Sequence, residues 1–275
     1  MPLPPLILIH GYPFDHTMWK FVIDGLQNKI KVIAPDLPGF GDNPVENAEP
    51  SIDLMADGIA KLLELHNVRR AVIAGMSMGG YVALAFAQRH ADRMAGLGLI
   101  STKAAADSVE TKEARKTLIE KVRREGAKAA LDALLPKLFS EANKNNTELA
   151  RFPAQGAEKA GVEGICWAVQ AMANRPDRTP LLRNLQVPVL VLHGAEDKII
   201  PAERARRMSE MIPGAHYVEV PGSGHASPLE TPSAVADGLL DLLLRSEESL
   251  HHRPKRDAHA DSLPGVVWSP SERGL

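Results

Sequence analysis

A chain of 275 residues, 44% hydrophobic and 24% charged, has the composition and length of one large globular α/β domain. The formal net charge of -2 gives no electrostatic reason to expect a nucleic-acid partner, and no apolar run is long enough to span a membrane. Cys166 is the single cysteine, so an internal disulfide is excluded, and the N-terminus lacks the basic and apolar segments of a secretory signal. We therefore expect a cytoplasmic protein, with Cys166 as a small buried apolar residue.

Six short apolar runs mark the expected strands along the chain. They are Leu6–Ile9, Lys31–Ala34, Ala71–Ala74, Gly96–Ile100, Pro188–Leu192 and His216–Val220. Most of these runs are continuous rather than alternating, which is typical of strands that are covered on both faces in a parallel sheet. Helical periodicity lies between them over Ile52–Leu63, Pro201–Ile212 and Pro228–Leu244. The alternation of strands and helices predicts a doubly wound, mostly parallel α/β sheet.

The third run leads directly into Gly75-Met76-Ser77-Met78-Gly79, and the helical run Tyr81–Ala87 follows. A strand that stops in G-x-S-x-G and restarts as a helix is typical of a nucleophile elbow. The serine sits on a sharp turn with its hydroxyl above the sheet, so the residues two before and two after it must be small. Gly75 and Gly79 satisfy this requirement, and Gly80 is expected to add slack. The alternative is an ordinary loop serine that caps the following helix.

One interval, residues 103–184, breaks the alternation because it contains no convincing strand. Its helical patterns cover Ala114–Arg124, Ala127–Phe139 and Val162–Ala173. We predict a helical cap at 103–184, inserted into a hydrolase-like core made of residues 1–102 and 185–245. The insertion follows the fourth strand and leaves the carboxyl edge of the sheet, so we expect it to roof a ligand pocket there. The alternative is a set of helices packed on the side of the sheet.

Two later loops supply candidates for a base and an acid, which a serine nucleophile needs for its activation and for the orientation of the base. Gly194-Ala195-Glu196-Asp197 follows the fifth run, and Gly222-Ser223-Gly224-His225 follows the sixth. Both loops leave the same edge of the sheet as Ser77. The chain order Ser, Asp, His is that of nucleophile-elbow enzymes, so Asp197 is the expected acid and His225 the expected base.

Competing acids and histidines are given other roles. Glu196 is expected to point away from the site, Asp36 to be structural within its loop, and Asp107 is the nearest acid after the fourth run. His193 is expected to be a packed, hydrogen-bonded residue. The remaining histidines in helical contexts are expected to be solvated: His16, His66 and His90.

The oxyanion that forms during acyl transfer needs two backbone donors. The amide of Met78 is the first, and the amide of Tyr12 in His10-Gly11-Tyr12-Pro13 is the second, since Pro13 has no amide hydrogen. The alternative for His10-Gly11 is a plain turn at the end of a strand. Around these donors we expect an apolar acyl pocket lined by Tyr12, Met78, Phe14, Met76, Leu135, Leu138, Phe139 and Trp167.

This pocket assignment leaves alternatives open. Leu135, Leu138 and Trp167 are equally well explained as the insertion's own core. Lys103 either meets an anionic substrate or is a solvated lysine.

Taken together, these motifs and Pro35-Asp36-Leu37-Pro38-Gly39-Phe40-Gly41 resemble the α/β-hydrolase superfamily over about residues 5–245. The chain is most similar to small esterases and the 3-oxoadipate enol-lactonase-like group, with cofactor-free haloperoxidases as cousins. The resemblance implies a triad of Ser77, Asp197 and His225, with Tyr12 and Met78 as oxyanion donors and with no cofactor or metal. The dehalogenase and epoxide-hydrolase branches use aspartate at the elbow, so the serine argues against them.

The chain departs from the family at both ends. Members usually begin with an antiparallel hairpin, but here His10-Gly11 come too early for one, which would leave the sheet edge beside Lys31–Ala34 uncovered. Residues 246–275 are polar and contain several Pro and His residues, so we expect a mobile tail. Our hypothesis is that Val266-Val267-Trp268, or the second subunit of a homodimer, covers the edge.

These observations predict a serine hydrolase that cleaves carboxylic esters or lactones of small to medium acyl groups through an acyl-enzyme. The expected partner is a small-molecule substrate, without nucleic acid or membrane. The same residues would also serve a perhydrolase or a C–C bond hydrolase. A further alternative is a non-catalytic receptor that uses the hydrolase fold to bind a ligand.

Overall fold

The structure is a computed structural model, and it describes residues 3–26 and 30–252. Each of the six apolar runs forms a strand. The strands are β1 (Leu6–Ile9), β2 (Val32–Ile33), β3 (Ala71–Met76), β4 (Met94–Ile100), β5 (Val189–Gly194) and β6 (His216–Val220). All neighbouring strands pair in parallel, in the order β2-β1-β3-β4-β5-β6. The prediction of a doubly wound parallel sheet is confirmed.

The strand order reverses between β1 and β3, because the chain passes from β1 outward to β2 and then returns to the other side of β1. Gly75 of β3 pairs with Ile9 of β1 and with Leu99 of β4, so these three strands end at nearly the same level. Ligands of open α/β sheets bind in the crevice at the carboxyl edge beside such a reversal. The loops that follow β1 and β3 are therefore next to each other at the favoured position.

Helices cover both faces of the sheet, because successive side chains of each strand point to opposite faces. Ile7 and Ile9 join a core with α2 (Ile52–Leu65), α3 (Met78–Arg89) and α7 (Ala202–Glu210). Leu6 and Leu8 join a second core with α1 (Lys20–Gly25), α8 (Ser227–Glu230) and α9 (Pro232–His252). The sequence pattern predicted one helix over Pro228–Leu244, but the chain breaks at Thr231 and α9 restarts at Pro232, a residue suited to a first helical turn.

Three helices occupy the interval between β4 and β5: α4 (Val109–Glu125), α5 (Lys128–Leu138) and α6 (Thr147–Asn174). The helix α6 is kinked at Gly161, whose φ of 60° lies in the region that favours glycine. The predicted pattern Val162–Ala173 is the part of α6 after this kink, and the part before it was not recognised. The side chains of α4 and of α6 after the kink join the first core, whereas Phe152 of α6 and Leu138 at the end of α5 join the second.

The helix α9 continues to His252 and so extends into the segment that was predicted to be a tail. Ser246 is buried, and its Oγ donates to the carbonyl of Leu242 at 2.7 Å. Residue 246 therefore belongs to a packed helix and not to a tail. The strand β2 lies at the edge of the sheet. Val266-Val267-Trp268 lie outside the described residues. Among the helices in the described ranges, none has both the length and the apolar character of a membrane span.

Candidate active site

Ser77 occupies the turn between β3 and α3 with φ 52° and ψ -110°, a conformation that residues with a Cβ rarely adopt. Hydrogen bonds to β4 and to the loop after it stabilise the turn. The amide of Ser77 donates to the carbonyl of Ile100 at 2.9 Å. The carbonyl of Ser77 accepts a hydrogen bond from Thr102 Oγ1 at 2.8 Å. The strained geometry therefore depends on the neighbouring strand as well as on the G-x-S-x-G residues.

The three glycines around Ser77 are all required by close contacts. A Cβ at Gly75 would meet the carbonyl of Gly79, and a Cβ at Gly79 would meet the carbonyl of Ile9. A Cβ at Gly80 would lie 2.5 Å from the side chain of Thr102. The expectation that Gly80 only adds slack is therefore wrong, because Gly80 makes room for the threonine that supports the elbow.

Ser77, His225 and Asp197 are brought together in series. The Ser77 hydroxyl donates to His225 Nε2 at 2.9 Å, and His225 Nδ1 donates to Asp197 Oδ2 at 2.7 Å. His225 is 2% exposed and Asp197 8% exposed, whereas Ser77 is partly exposed. The arrangement places a base on the hydroxyl and a carboxylate behind the base, with only the hydroxyl end open to solvent.

The carboxylate of Asp197 is fully engaged. Its Oδ1 accepts from the amides of Ile199 at 2.8 Å and Ile200 at 2.9 Å. Its burial would raise the pKa of Asp197, but the charge of His225 and the hydrogen bonds from His193 and His225 outweigh burial and hold that pKa well below its usual range. Asp197 is therefore ionised at neutral pH and able to stabilise an imidazolium at His225.

The loops that carry the acid and the base are tied to each other and to α5. The amide of Glu196 donates to the carbonyl of Ser223 at 2.8 Å. The carbonyl of Leu138 accepts from the amides of His225 at 3.0 Å and of Ala226 at 3.2 Å. The end of α5 therefore fixes the base loop, a role that no sequence signal indicated because the two segments are far apart in the chain.

The two expected oxyanion donors lie at the ends of β1 and β3. Neither the amide of Tyr12 nor that of Met78 donates a hydrogen bond to any residue within 3–26 or 30–252. A Cβ at Gly11 would lie 2.5 Å from the Met76 sulfur, so a glycine is needed where the first loop passes the elbow. A Cβ at Gly11 would also lie 3.4 Å from the Cβ of Ser77, and Met78 directly follows Ser77, so both unpaired amides belong to segments next to this serine.

His10 holds this first loop in place through hydrogen bonds of its ring. The loop is therefore more than the plain strand-ending turn that was the alternative. The ring is fully buried; its Nδ1 donates to the carbonyl of Gly11 at 2.9 Å, and its Nε2 accepts from the amide of Leu37 at 2.9 Å. Burial lowers the pKa of His10, which keeps the ring neutral and suits one donor and one acceptor. The sequence signal for this role was a histidine placed directly after the first strand.

Comparisons with known proteins identify the family of this chain. The family model described as the alpha/beta hydrolase family matches residues 6–238. The chain belongs to this family.

Two solved structures and one longer protein are informative relatives of this alpha/beta hydrolase. It is 40% identical to a thermophilic esterase from Thermogutta terrifontis solved with malate bound, over 88% of this chain and 90% of that one, with a TM-score of 0.84. It is 28% identical to the enol-lactonase from Burkholderia xenovorans LB400, over 88% of this chain and 92% of that one, with a TM-score of 0.75. The expected similarity to esterases and enol-lactonases is confirmed.

The longer relative is the dihydrolipoyllysine-residue acetyltransferase component of the acetoin cleaving system of Pseudomonas putida. The two are 28% identical over 242 residues, which cover 87% of this chain but 63% of that protein's length. The hydrolase described here therefore matches one part of that protein.

The competing acids of the hydrolase are used elsewhere. Asp36 accepts from the amide and from Nδ1 of His16, both at 2.8 Å, so its role is structural as expected. Glu196 accepts from the amide of Glu141 at 2.9 Å, away from His225. His66 is exposed and the His16 side chain is 44% exposed, as expected of solvated residues. His90 is only partly solvated, since its side chain is 25% exposed and its Nε2 lies 2.8 Å from the carboxylate of Asp57.

Asp107 and Lys103 belong to a buried ion cluster. Asp107 accepts from Lys103 Nζ at 3.1 Å, from Arg115 Nε at 2.6 Å and from an Arg175 terminal nitrogen at 2.8 Å. Lys103 is therefore an ion-pair partner and not a solvated lysine. Asp107 is too fully occupied to replace Asp197.

The predicted pocket residues divide between the two cores. Phe14, Met76, Leu138 and Phe139 are buried in the second core, and Leu135 packs against it. Trp167 belongs to the first core, and its Nε1 donates to the carbonyl of Ala48 at 3.2 Å. Tyr12 and Met78 also belong to the first core, so the eight predicted residues are divided between the two cores.

Trp167 and Cys166 instead line a cavity of ≈ 360 Å³ between α4, α6 and the loop that holds Val45 and Pro50. Burial raises the pKa of the Cys166 thiol, in keeping with the expected small buried residue. Within the described part of the chain, no three His, Cys, Asp or Glu residues are placed to hold a metal ion.

Proposed function

We propose that this hydrolase cleaves carboxylic esters or lactones through an acyl-enzyme, with Ser77, His225 and Asp197 as its catalytic triad. The observation that carries the proposal is the continuous series of contacts from the Ser77 hydroxyl through His225 to Asp197, at 2.9 Å and 2.7 Å. Hydroxyl, imidazole and carboxylate in this order are the groups that activate a serine for attack on a carbonyl.

The reaction follows from the positions of these groups. His225 Nε2 takes the proton of Ser77 as Oγ attacks the carbonyl carbon, and Asp197 stabilises the imidazolium that forms. The negative charge on the former carbonyl oxygen is held by the amides of Tyr12 and Met78. His225 then protonates the leaving alkoxide, and a water molecule repeats the cycle on the acyl-enzyme to release the acid.

An apolar acyl group of small to medium size is supported by the side chains next to each functional loop. Met76 precedes the nucleophile, Phe14 follows the oxyanion loop, and Leu138 supports the loop of His225. All three are fully buried apolar residues. The esterase at 40% identity and the enol-lactonase at 28% identity add weight to esters and lactones as the substrate class.

Covalent labelling by a fluorophosphonate tests the nucleophile, and kinetics on p-nitrophenyl esters and lactones of graded acyl length test the substrate class. Ser77→Ala should abolish labelling and lower kcat by about 10⁴-fold or more, without unfolding the protein. Ser101→Ala is the matched control, since Ser101 is also a loop serine at positive φ, follows the neighbouring strand, and is fully buried where Ser77 is partly exposed. Retained turnover in Ser77→Ala would refute the assignment, and labelling of the wild type without turnover of any ester or lactone would favour a receptor.

A further inference from the structure

Asp197 Oδ2 is shared by two imidazole rings. Besides His225 Nδ1 at 2.7 Å, it has His193 Nε2 at 3.2 Å. His193 is the residue before the last of β5, and its ring is fully buried. The reaction proposed above uses only His225, so the second ring needs its own explanation.

The neighbours of His193 determine which nitrogen acts. Its Nε2 lies 2.7 Å from the carbonyl oxygen of Ile200 as well as 3.2 Å from the Asp197 carboxylate. Both neighbours are acceptors, so Nε2 carries the hydrogen and donates to them. Nδ1 is buried and has no partner among the described residues, so the ring acts through Nε2.

This one donor joins two points of the loop that leaves β5. Asp197 Oδ1 is already held by the amides of Ile199 and Ile200, which leaves Oδ2 to be oriented. His193 Nε2 contacts both Asp197 Oδ2 and the carbonyl oxygen of Ile200. The two contacts together restrict rotation of the carboxyl group and keep Oδ2 facing His225.

We propose that His193 is a positioning residue that holds Asp197 in the orientation needed by His225. The proposal rests on the proposed function, because it assigns His193 a role in the same triad. It acts through Asp197 and does not touch the substrate.

Glu219 and Tyr81 are titratable groups close to this pair. On β6, Glu219 is opposite His193 in the strand register, but its carboxylate accepts from Tyr217 Oη at 2.7 Å and from Arg206 at 2.8 Å. On α3, the buried Tyr81 is near enough to Asp197 to interact with its charge. Neither group contacts His193 in the described structure, so a change at His193 should be transmitted through Asp197.

Glutamine and asparagine at position 193 form a matched pair. The amide nitrogen of glutamine reaches the position of a histidine Nε2, whereas that of asparagine, one methylene shorter, reaches the position of Nδ1. His193→Asn should lower kcat/KM for an activated ester by about tenfold, the effect of one lost hydrogen bond to a charged group. His193→Gln should stay within about threefold of the wild type, since a donor to Asp197 remains.

The pH profile separates positioning from simple loss of stability. A donor to the carboxylate takes up part of the negative charge that Asp197 presents to His225, so its loss should move the acidic limb of kcat/KM to higher pH in His193→Asn. His193→Gln should keep the limb of the wild type. Val189→Ala, which removes packing at the other end of β5, is the control and should lower the melting temperature without moving the limb.

Proton NMR gives a readout that needs no substrate. The hydrogen shared by His225 Nδ1 and Asp197 Oδ2 should give a downfield resonance that is retained in His193→Gln and is weakened or shifted in His193→Asn. A wild type without esterase activity would refute the proposed function, while this resonance would still report the role of His193. An unchanged resonance and an unchanged acidic limb in His193→Asn would overturn the positioning role.

Discussion

Replacing Asp107 by asparagine tests how the helices α4–α6 are attached to the sheet. Asp107 lies just before α4, and Arg175 lies just after α6, so their ion pair at 2.8 Å joins the two connections of this helical segment. Arg115 at 2.6 Å and Lys103 at 3.1 Å share the same carboxylate. Asparagine keeps the shape of the side chain but removes the negative charge from among three cations.

The expected loss of stability is large because the pair is buried. The side chains of Arg175 and Asp107 are 1% and 0% exposed. Removal of one partner of a buried ion pair leaves the other charge uncompensated, which typically costs about 3–5 kcal/mol. We expect Asp107→Asn to lower the free energy of unfolding by about 3 kcal/mol, since the amide oxygen still accepts one hydrogen bond.

Acid should reduce this difference. Burial by itself would raise the pKa of Asp107, but Arg175 and Arg115 outweigh burial and hold the pKa well below its usual range. A carboxyl group whose pKa is lowered on folding contributes stability that is complete above its unfolded pKa, about 3.9, and is lost as the pH falls through the folded pKa. The gap between wild type and Asp107→Asn should therefore be constant from about pH 5 to pH 8 and narrow below about pH 4.

Urea unfolding followed by circular dichroism at pH 7 and at several values below pH 4 measures this gap. Asp57→Asn is the matched control, because Asp57 pairs with Arg89 at 2.7 Å where the two side chains are 31% and 40% exposed. Exposed pairs contribute at most about 1 kcal/mol, so the control should change stability little. Equal losses in the two variants, or a gap for Asp107→Asn that widens in acid, would refute the reasoning.

Three further outcomes follow from the site and its surroundings. Gly79→Ala places a Cβ against the carbonyl of Ile9 and should severely lower the melting temperature and the activity. The control Gly58→Ala lies at an exposed helix position with open space and should raise the free energy of unfolding by up to about 1 kcal/mol. Similar melting curves for the two variants would contradict the close contact at Gly79. Tyr12→Phe should leave kcat/KM within about threefold, since only the backbone amide is assigned to the oxyanion, and a larger loss would give the side chain a role. The Tyr12 hydroxyl is buried without a partner in the described structure, so the same variant should not lose stability in urea unfolding.

Local sequence was sufficient for the elements of the fold and for the elbow. Apolar runs predicted all six strands, and most of these runs are continuous because strands covered on both faces need no polar side. The spacing of Gly75, Ser77 and Gly79 predicted the turn because only small neighbours fit a serine at such backbone angles. Asp197 and His225 followed from their places after later strands, since parallel strands direct their following loops to one edge.

Contacts between segments that are far apart in the chain could not be predicted from the sequence. The role of Gly80 depends on Thr102 of the next loop, and that of His10 on an amide 27 residues later. The lysine at 103 was ambiguous until its carboxylate partner was seen. In each case the deciding neighbour is brought close by the packing of the sheet and the helices, and no periodicity or motif within a short window carries that information.

The sequence by itself thus determined the order of strands and helices along the chain, the turn at Ser77 and the choice of Asp197 and His225 as the residues that meet it, because these depend on local sterics and on chain direction. Only the tertiary structure decided which buried polar groups share a partner, such as the two histidines on Asp197, and how the end of α5 supports His225. Hydrogen bonds act over about 3 Å, so they are specified only once the whole chain has folded.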